Sequence, residues 1–329
     1  MTPADDVPAH LQLPMRLASI FMPQGIKHQE QFHRKGNPAR LVHYTSAEAA
    51  LNIIRTKRLW MRNAKLMADY REVQHGLDLL DAYFADRGRK RQFFRLLEAC
   101  VPRAADLAFR LFQQWRQDLE ESTYIASVSE HDRAEDQHGR LSMWRAFGSG
   151  TARVAIVIKA PHYSSAGVAL NVLVSPVEYF SDAGVAKVIR MVMKGVRQER
   201  EFLREISPSH VVNTMFLMLV AGATCLKHEG FQEEREWRIV FSPNRSNSPF
   251  ILSSTEIVGG VPQTIYKLPL DKTAGKEIAD LDIANIFDRI IIGPSLAPEP
   301  LCEIFVAELT AAGVADATKR VVVSGIPIR

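Results

Sequence analysis

Cysteine is scarce in this 329-residue chain. Cys100, Cys225 and Cys302 are far apart and odd in number. They provide neither a disulfide framework nor a zinc-ligand spacing. A reducing compartment follows, and a cytoplasmic location is expected. No apolar run is long enough to span a bilayer. The longest, "VVNTMFLMLVAGATCL" at 211–226, contains Asn213 and Thr214 and suits a buried helix. The opening "MTPADDVPAHLQLPMRLASIF" is broken by prolines and carries acids early, which does not read as a signal peptide. The dinucleotide GxGxxG, the P-loop, the GxSxG elbow and the HExxH pair are all missing. There is no internal repeat and no low-complexity tract. Any chemistry must rest on dispersed residues, and no metal is expected.

Charge of one sign is also lacking overall: 41 cations face 37 acids, a net of +4. The basic residues do cluster locally, in "RTKRLWMRNAK" at 55–65 and "DRGRKRQFFR" at 86–95. Such runs are either solvated faces or contacts for an anionic partner, a dinucleotide or nucleic acid (DNA or RNA). Residues 1–38 show little periodicity and read as an N-terminal extension or loosely packed arm. Residues 39–329 read as one α+β domain. "RLVHYTS" alternates as a short strand and runs into a helix, with Thr45 and Glu48 at capping-box spacing. Helical insertions are expected at about 72–121 and 182–228. Between and after them come β-type runs such as "TYIASVSE", "ARVAIVIKA", "EWRIVFSP" and "FDRIIIGPS". Strict β-α-β alternation is absent, so the core is expected to be a mixed or antiparallel sheet.

Several residues stand out for chemistry. In "FQEEREWRIVF" at 231–241, an extended chain points Trp237, Ile239 and Phe241 one way and Glu234, Glu236 and Arg238 the other. Two carboxylates on a strand need a polar cleft or a partner, because desolvating them unpaired is costly. His43 precedes a helix N-terminus, where free backbone N–H groups attract anions; it fits a ligand contact or a satisfied core histidine. Trp144 and Arg145 share a short helix in "LSMWRAFG". Ser127 and Ser129 share one face of "ASVSE". Asp69 and Glu72 follow a strand at a turn, where Asp69 suits a helix cap.

Taken in order, these segments resemble the bacterial family called domain of unknown function 2971, from about residue 40 to about 295. The likeness is carried by "LVHYTSAEAALNIIRTKRLWM", "MADYREVQHG", "ASVSEHD", "MWRAF" and "EREWRIVF". Ala68 stands where the family has Asn, and Phe147 where it has Tyr. "LVHYTS", its helix and the late E-x-E strand are also similar in layout to ADP-ribosyltransferases, the DNA-modifying toxin branch in particular. That resemblance implies a split sheet and NAD as substrate. It implies that His43 and Thr45 hold NAD; on the residues alone, Ser129 leaves room for a ligand or merely packs, and Arg238 pairs with a carboxylate or with a phosphate. Tyr44 or Trp144 would cover nicotinamide, and Glu236 would be catalytic with Glu234 serving the acceptor. A toxin or phage-defence setting is implied, with a nucleic-acid or protein acceptor. Two alternatives stay open: a nuclease using Asp69, Glu72, Glu234 and Glu236, or a non-enzymatic binding module.

Overall fold

The computed structural model of the chain describes residues 7–35, 38–67, 72–147, 152–161, 164–295 and 297–327. The N-terminal segment is not a loose arm. It forms helices α1 (Ala9–Phe21) and α2 (Pro23–Lys35). Leu17, Ile20 and Phe21 recur at helical spacing and bury in the main helical core.

The strand β1 (Arg40–Ser46) leads into α3 (Ala47–Thr56). The cap is Ser46, whose hydroxyl accepts from the Ala49 N–H at 3.2 Å. The expected Thr45–Glu48 capping box does not form, because Thr45 is still in the strand, opposite Val154. After a left-handed turn at Lys57 the chain enters β2 (Arg58–Asn63). Helices α4 (Glu72–Ala85), α5 (Arg87–Glu98) and α6 (Ala104–Glu121) form the first insertion. Then come β3 (Tyr124–Glu130), α7 (Leu141–Ala146), β4 (Ala152–Lys159), the single turn α8 (Ala166–Ala169), β5 (Leu173–Pro176) and β6 (Glu178–Tyr179). The second insertion is α9 (Asp182–Gln198), α10 (Arg200–Glu205) and α11 (Pro208–Thr224). The remainder is β7 (Leu226–Lys227), β8 (Glu236–Phe241), β9 (Leu252–Val258), β10 (Val261–Pro269), α12 (Ile283–Ile286), β11 (Phe287–Ser295), α13 (Pro298–Ala311) and β12 (Val321–Val323).

The main sheet runs β12-β11-β4-β1-β3-β2-β10-β9, antiparallel except for β11 with β12. It is a mixed sheet without barrel closure, as the α+β expectation requires. Its branch point is β3. One edge of β3 is shared by two strands: β1 at Leu41–Glu130 and Val42–Ser129, and β2 at Arg62–Ile125 and Asn63–Tyr124. Residues 126–128 lie between those contacts, where the sheet splits. The other edge of β3 pairs along its length with β8, which carries β5.

Residues paired across an antiparallel ladder share a face. One face therefore holds Ile125, Ser127, Ser129, Glu236, Arg238 and Val240. Its apolar members bury under α1, α4, α5, α6, α9 and α11. The opposite face meets α3, α12 and α13 through Met61, Ile156, Ile290, Ile292 and Phe305. A smaller cluster seats Trp144 of α7 on Val42, Tyr44 and Ile291. Room for that indole comes from Gly139 and Gly293, where an added Cβ would lie within 2.8 and 2.7 Å of the Trp144 ring.

Candidate functional site

The segment that suggested a cleft is built differently from the expected strand. β8 begins at Glu236. Glu234 ends a 3-10 turn (Glu229–Glu234), and Arg235 is left-handed at φ 45°. The chain therefore bends between the two acids, and alternation no longer relates them. They converge nonetheless. Lys227 Nζ lies 2.8 Å from Glu234 Oε2 and 3.4 Å from Glu236 Oε2. Arg238 Nε donates to Glu236 Oε1 at 2.9 Å, as the strand period requires of residues two apart. Its Nη1 donates to the Thr224 carbonyl at 2.6 Å. That carbonyl is at the last residue of α11, where backbone acceptors lack helical partners. The Glu236 N–H donates to the Tyr179 hydroxyl at 2.9 Å.

Burial grades across this quartet. Side-chain exposure is 0% for Arg238, 5% for Glu236, 6% for Lys227 and 17% for Glu234. Glu234 is thus the outermost member. Burial pushes the Glu234 carboxyl up, against the pull of Lys227. Burial also opposes ionisation of Glu236. There the Arg238 guanidinium and the Lys227 ammonium win, and its carboxyl lies below the usual range. Two nearby carboxylates pushed in opposite directions can divide acid–base roles.

The turn bearing Glu234 is held from two sides. Arg140 donates to the carbonyls of Glu233 and Glu234 at 3.0 and 3.1 Å, and to that of Glu130 at 2.9 Å. Arg235 pairs with Asp132 and Glu135. The Ser142 hydroxyl of α7 donates to Glu233 at 2.8 Å.

His43 is not part of this assembly. Val42 pairs with Ser129, and Ser129 with Glu236, so those three share a face and His43 points to the other. Its Nδ1 donates to the Ser127 carbonyl at 3.0 Å, closing the split of β3. Burial pushes its imidazole pKa down, which favours the neutral ring. Thr45 shares the face of His43 and is half-buried. The single pocket expected to join imidazole and acids is therefore corrected to two faces of one sheet.

Tyr44 and Trp144 lie on the acidic face but are core residues. Trp144 is fully buried, T-shaped on Tyr44 at 4.8 Å, with its N–H donating to the His138 carbonyl. The Tyr44 hydroxyl accepts from the Arg140 N–H at 2.8 Å. Ser129 is buried opposite Glu236. Arg145 is exposed on α7. Asp69 and the side chain of Glu72 lie outside the described residues. A pocket lined by Phe21, Leu80, Ile189, Met218 and Cys225 among others contains none of the predicted site residues.

Lys227, Thr224, Tyr179, Arg140 and Arg235 escaped sequence reasoning. Lys227 had a usable signal, since a cation directly after an apolar helix is carried inward and needs an acid.

Residues 143–239 match the family model described as Protein of unknown function (DUF2971). The match runs from α7 into β8, so it contains Lys227, Glu234, Glu236 and Arg238 and leaves β1 and β3 outside. It supports the family read from "MWRAF" and "EREWRIVF". No curated protein and no solved structure matches the chain.

Proposed function

We propose that this chain is an ADP-ribosyltransferase-like enzyme that consumes NAD and modifies a nucleic-acid or protein acceptor, in a toxin or phage-defence setting. One observation carries it. Glu236 opens a strand that borders the split strand β3, and a second glutamate shares its lysine. Loss of nicotinamide leaves an oxocarbenium-like ribose, and a fixed carboxylate stabilises that developing charge. Arg238 and Lys227 keep Glu236 ionised for that task. Glu234, outermost and raised, is suited to take the acceptor proton. His43 acts indirectly here, by fixing the backbone of Ser127. Arg145 is the exposed cation of α7 available to the diphosphate.

A second reading has its own support. A nuclease built on these carboxylates needs a lysine, and Lys227 stands between Glu234 and Glu236.

Labelled NAD with DNA, RNA and protein acceptors tests both. The wild type is expected to release nicotinamide and label one acceptor class. Glu234→Gln should lower transfer by about 100-fold or more with a smaller loss of melting temperature than Glu236→Gln, since Lys227 keeps Glu236 as a charge partner. Glu236→Gln should abolish transfer and also lower stability, because Arg238 then loses its charge partner. Metal-dependent strand cleavage without nicotinamide release would hand the site to the nuclease. Neither activity would leave the quartet as scaffold.

A further inference from the structure

The helical block carries a charge anomaly that the acid pair does not use. α5, "RGRKRQFFRLLE", has five cations and one acid; α9, "DAGVAKVIRMVMKGVRQ", has four cations and one acid. Nine cations against two acids leave +7 on two helices, whereas the whole chain carries +4, so the remainder is −3. The excess is local, and it is displayed. Arg87, Arg91 and Arg95 follow at four-residue spacing on α5 and are exposed. On α9, Lys187, Arg190, Lys194 and Arg197 recur at three- and four-residue spacing, all exposed, opposite the buried row Val185, Ile189, Val192 and Val196. From Lys187 to Arg197 that row spans about 15 Å.

The two rows belong to neighbouring helices. Arg89 lies over the Tyr83 ring at 5.6 Å, and Arg89 and Arg190 both act electrostatically on that phenol. Among the described residues, the one ion pair made by these nine cations is Arg89 with the capping Asp86, at 3.7 Å. A solvated helix face in a balanced chain would intersperse acids at the same spacing. This one does not.

We infer that the α5–α9 surface docks the phosphate backbone of a nucleic acid. Six of the nine cations are arginines, whose planar fork matches phosphate oxygens. Duplex DNA presents about one negative charge per 1.7 Å of axis, dense enough to face every cation of the α9 row. A membrane surface fits less well. None of the exposed large hydrophobic side chains falls on α5 or α9, so nothing there would insert into lipid.

This inference stands apart from NAD chemistry and names the acceptor class if that chemistry holds. Binding and turnover are read separately, so either can fail alone. α4 links the two regions, packing on α5 and α9 and also on β7, which carries Lys227.

The test is fluorescence anisotropy with a labelled duplex of about 20 base pairs, titrated with the full chain at several salt concentrations. The wild type should bind, and its affinity should fall steeply with salt. Lys187→Gln with Lys194→Gln should weaken binding about tenfold near physiological salt and lower the log–log salt slope by about 2, close to one per lost phosphate contact. Lys276→Gln with Lys319→Gln removes the same charge from exposed positions elsewhere and should change neither. Equal effects from both pairs would reduce the surface to bulk charge and overturn the inference. So would a wild type that ignores the duplex, including one that binds phosphatidylserine vesicles instead.

Discussion

His28 is the residue where protonation and architecture meet most directly. Its Nε2 lies 2.7 Å from Glu130, and Glu178 stands 3.7 Å from its other nitrogen, a charge contact rather than a hydrogen bond. Glu130, then Glu178, push the imidazole up to about 9 from 6.5. A folded pKa above the unfolded one means stability that is complete below pH 6.5 and lost as pH rises through about 9. Its size is at most about 3 kcal/mol by the usual conversion, and less after screening, since the side chain is 31% exposed. Urea unfolding on either side of this window should show wild type and His28→Gln converging at high pH. Parallel curves would mean that His28 carries no net charge energy. None of this was legible in the sequence, because the partners lie 102 and 150 positions away and no local spacing reports them. Glu236 and Arg238 were legible, since a two-residue separation on a strand forces one face.

Among the elements, the α4–α11 crossing decides where the quartet sits. An added Cβ at Gly76 would lie 2.4 Å from the carbonyl oxygens of both Gly222 and Ala223. Those are backbone atoms one turn or less before Thr224, the carbonyl that receives Arg238. Alanine gains about 1 kcal/mol of helix propensity, but the clash is with main chain and should win. Gly76→Ala is expected to destabilise by about 1–3 kcal/mol. Gly25→Ala in α2, with nothing within 4 Å, should be neutral or stabilising. Thermal melts of the two variants check the ordering; a stable Gly76→Ala would show that the crossing yields. Helical insertions were expected at about 72–121 and 182–228, where α4–α6 and α9–α11 stand, whereas β9 (Leu252–Val258) went unread because its alternating face is mostly exposed. The partial pairing of β3 with both β1 and β2 was not legible, because register between distant strands leaves no trace in either segment. The bend at Arg235 was missed for a related reason: left-handed arginine is uncommon, and "EEREWR" alternates well enough to hide it.

Over the whole molecule, the N-terminal helices are structural rather than appended. Phe32 meets Trp237 at 5.0 Å, while Leu17, Ile20 and Phe21 enter the main helical core. Four such side chains contribute roughly 6–12 kcal/mol, comparable to the entire stability of a typical fold, about 5–15 kcal/mol. A chain lacking residues 1–38 should therefore fail to fold cooperatively. A soluble truncation with the parental melting temperature would return those residues to the status of an arm. Prolines such as Pro14 within α1 concealed the first helix, and the polar composition of α2 concealed the second, which docks through Phe32 and His28. The left-handed joint at Arg235 has a mechanical corollary. Its guanidinium is moored to Asp132 and Glu135, whereas the carbonyls just before it are moored to Arg140. Whatever tugs the 132–140 loop tugs the peptide linking Glu234 to Glu236, and so retunes the gap between two carboxylates without touching either.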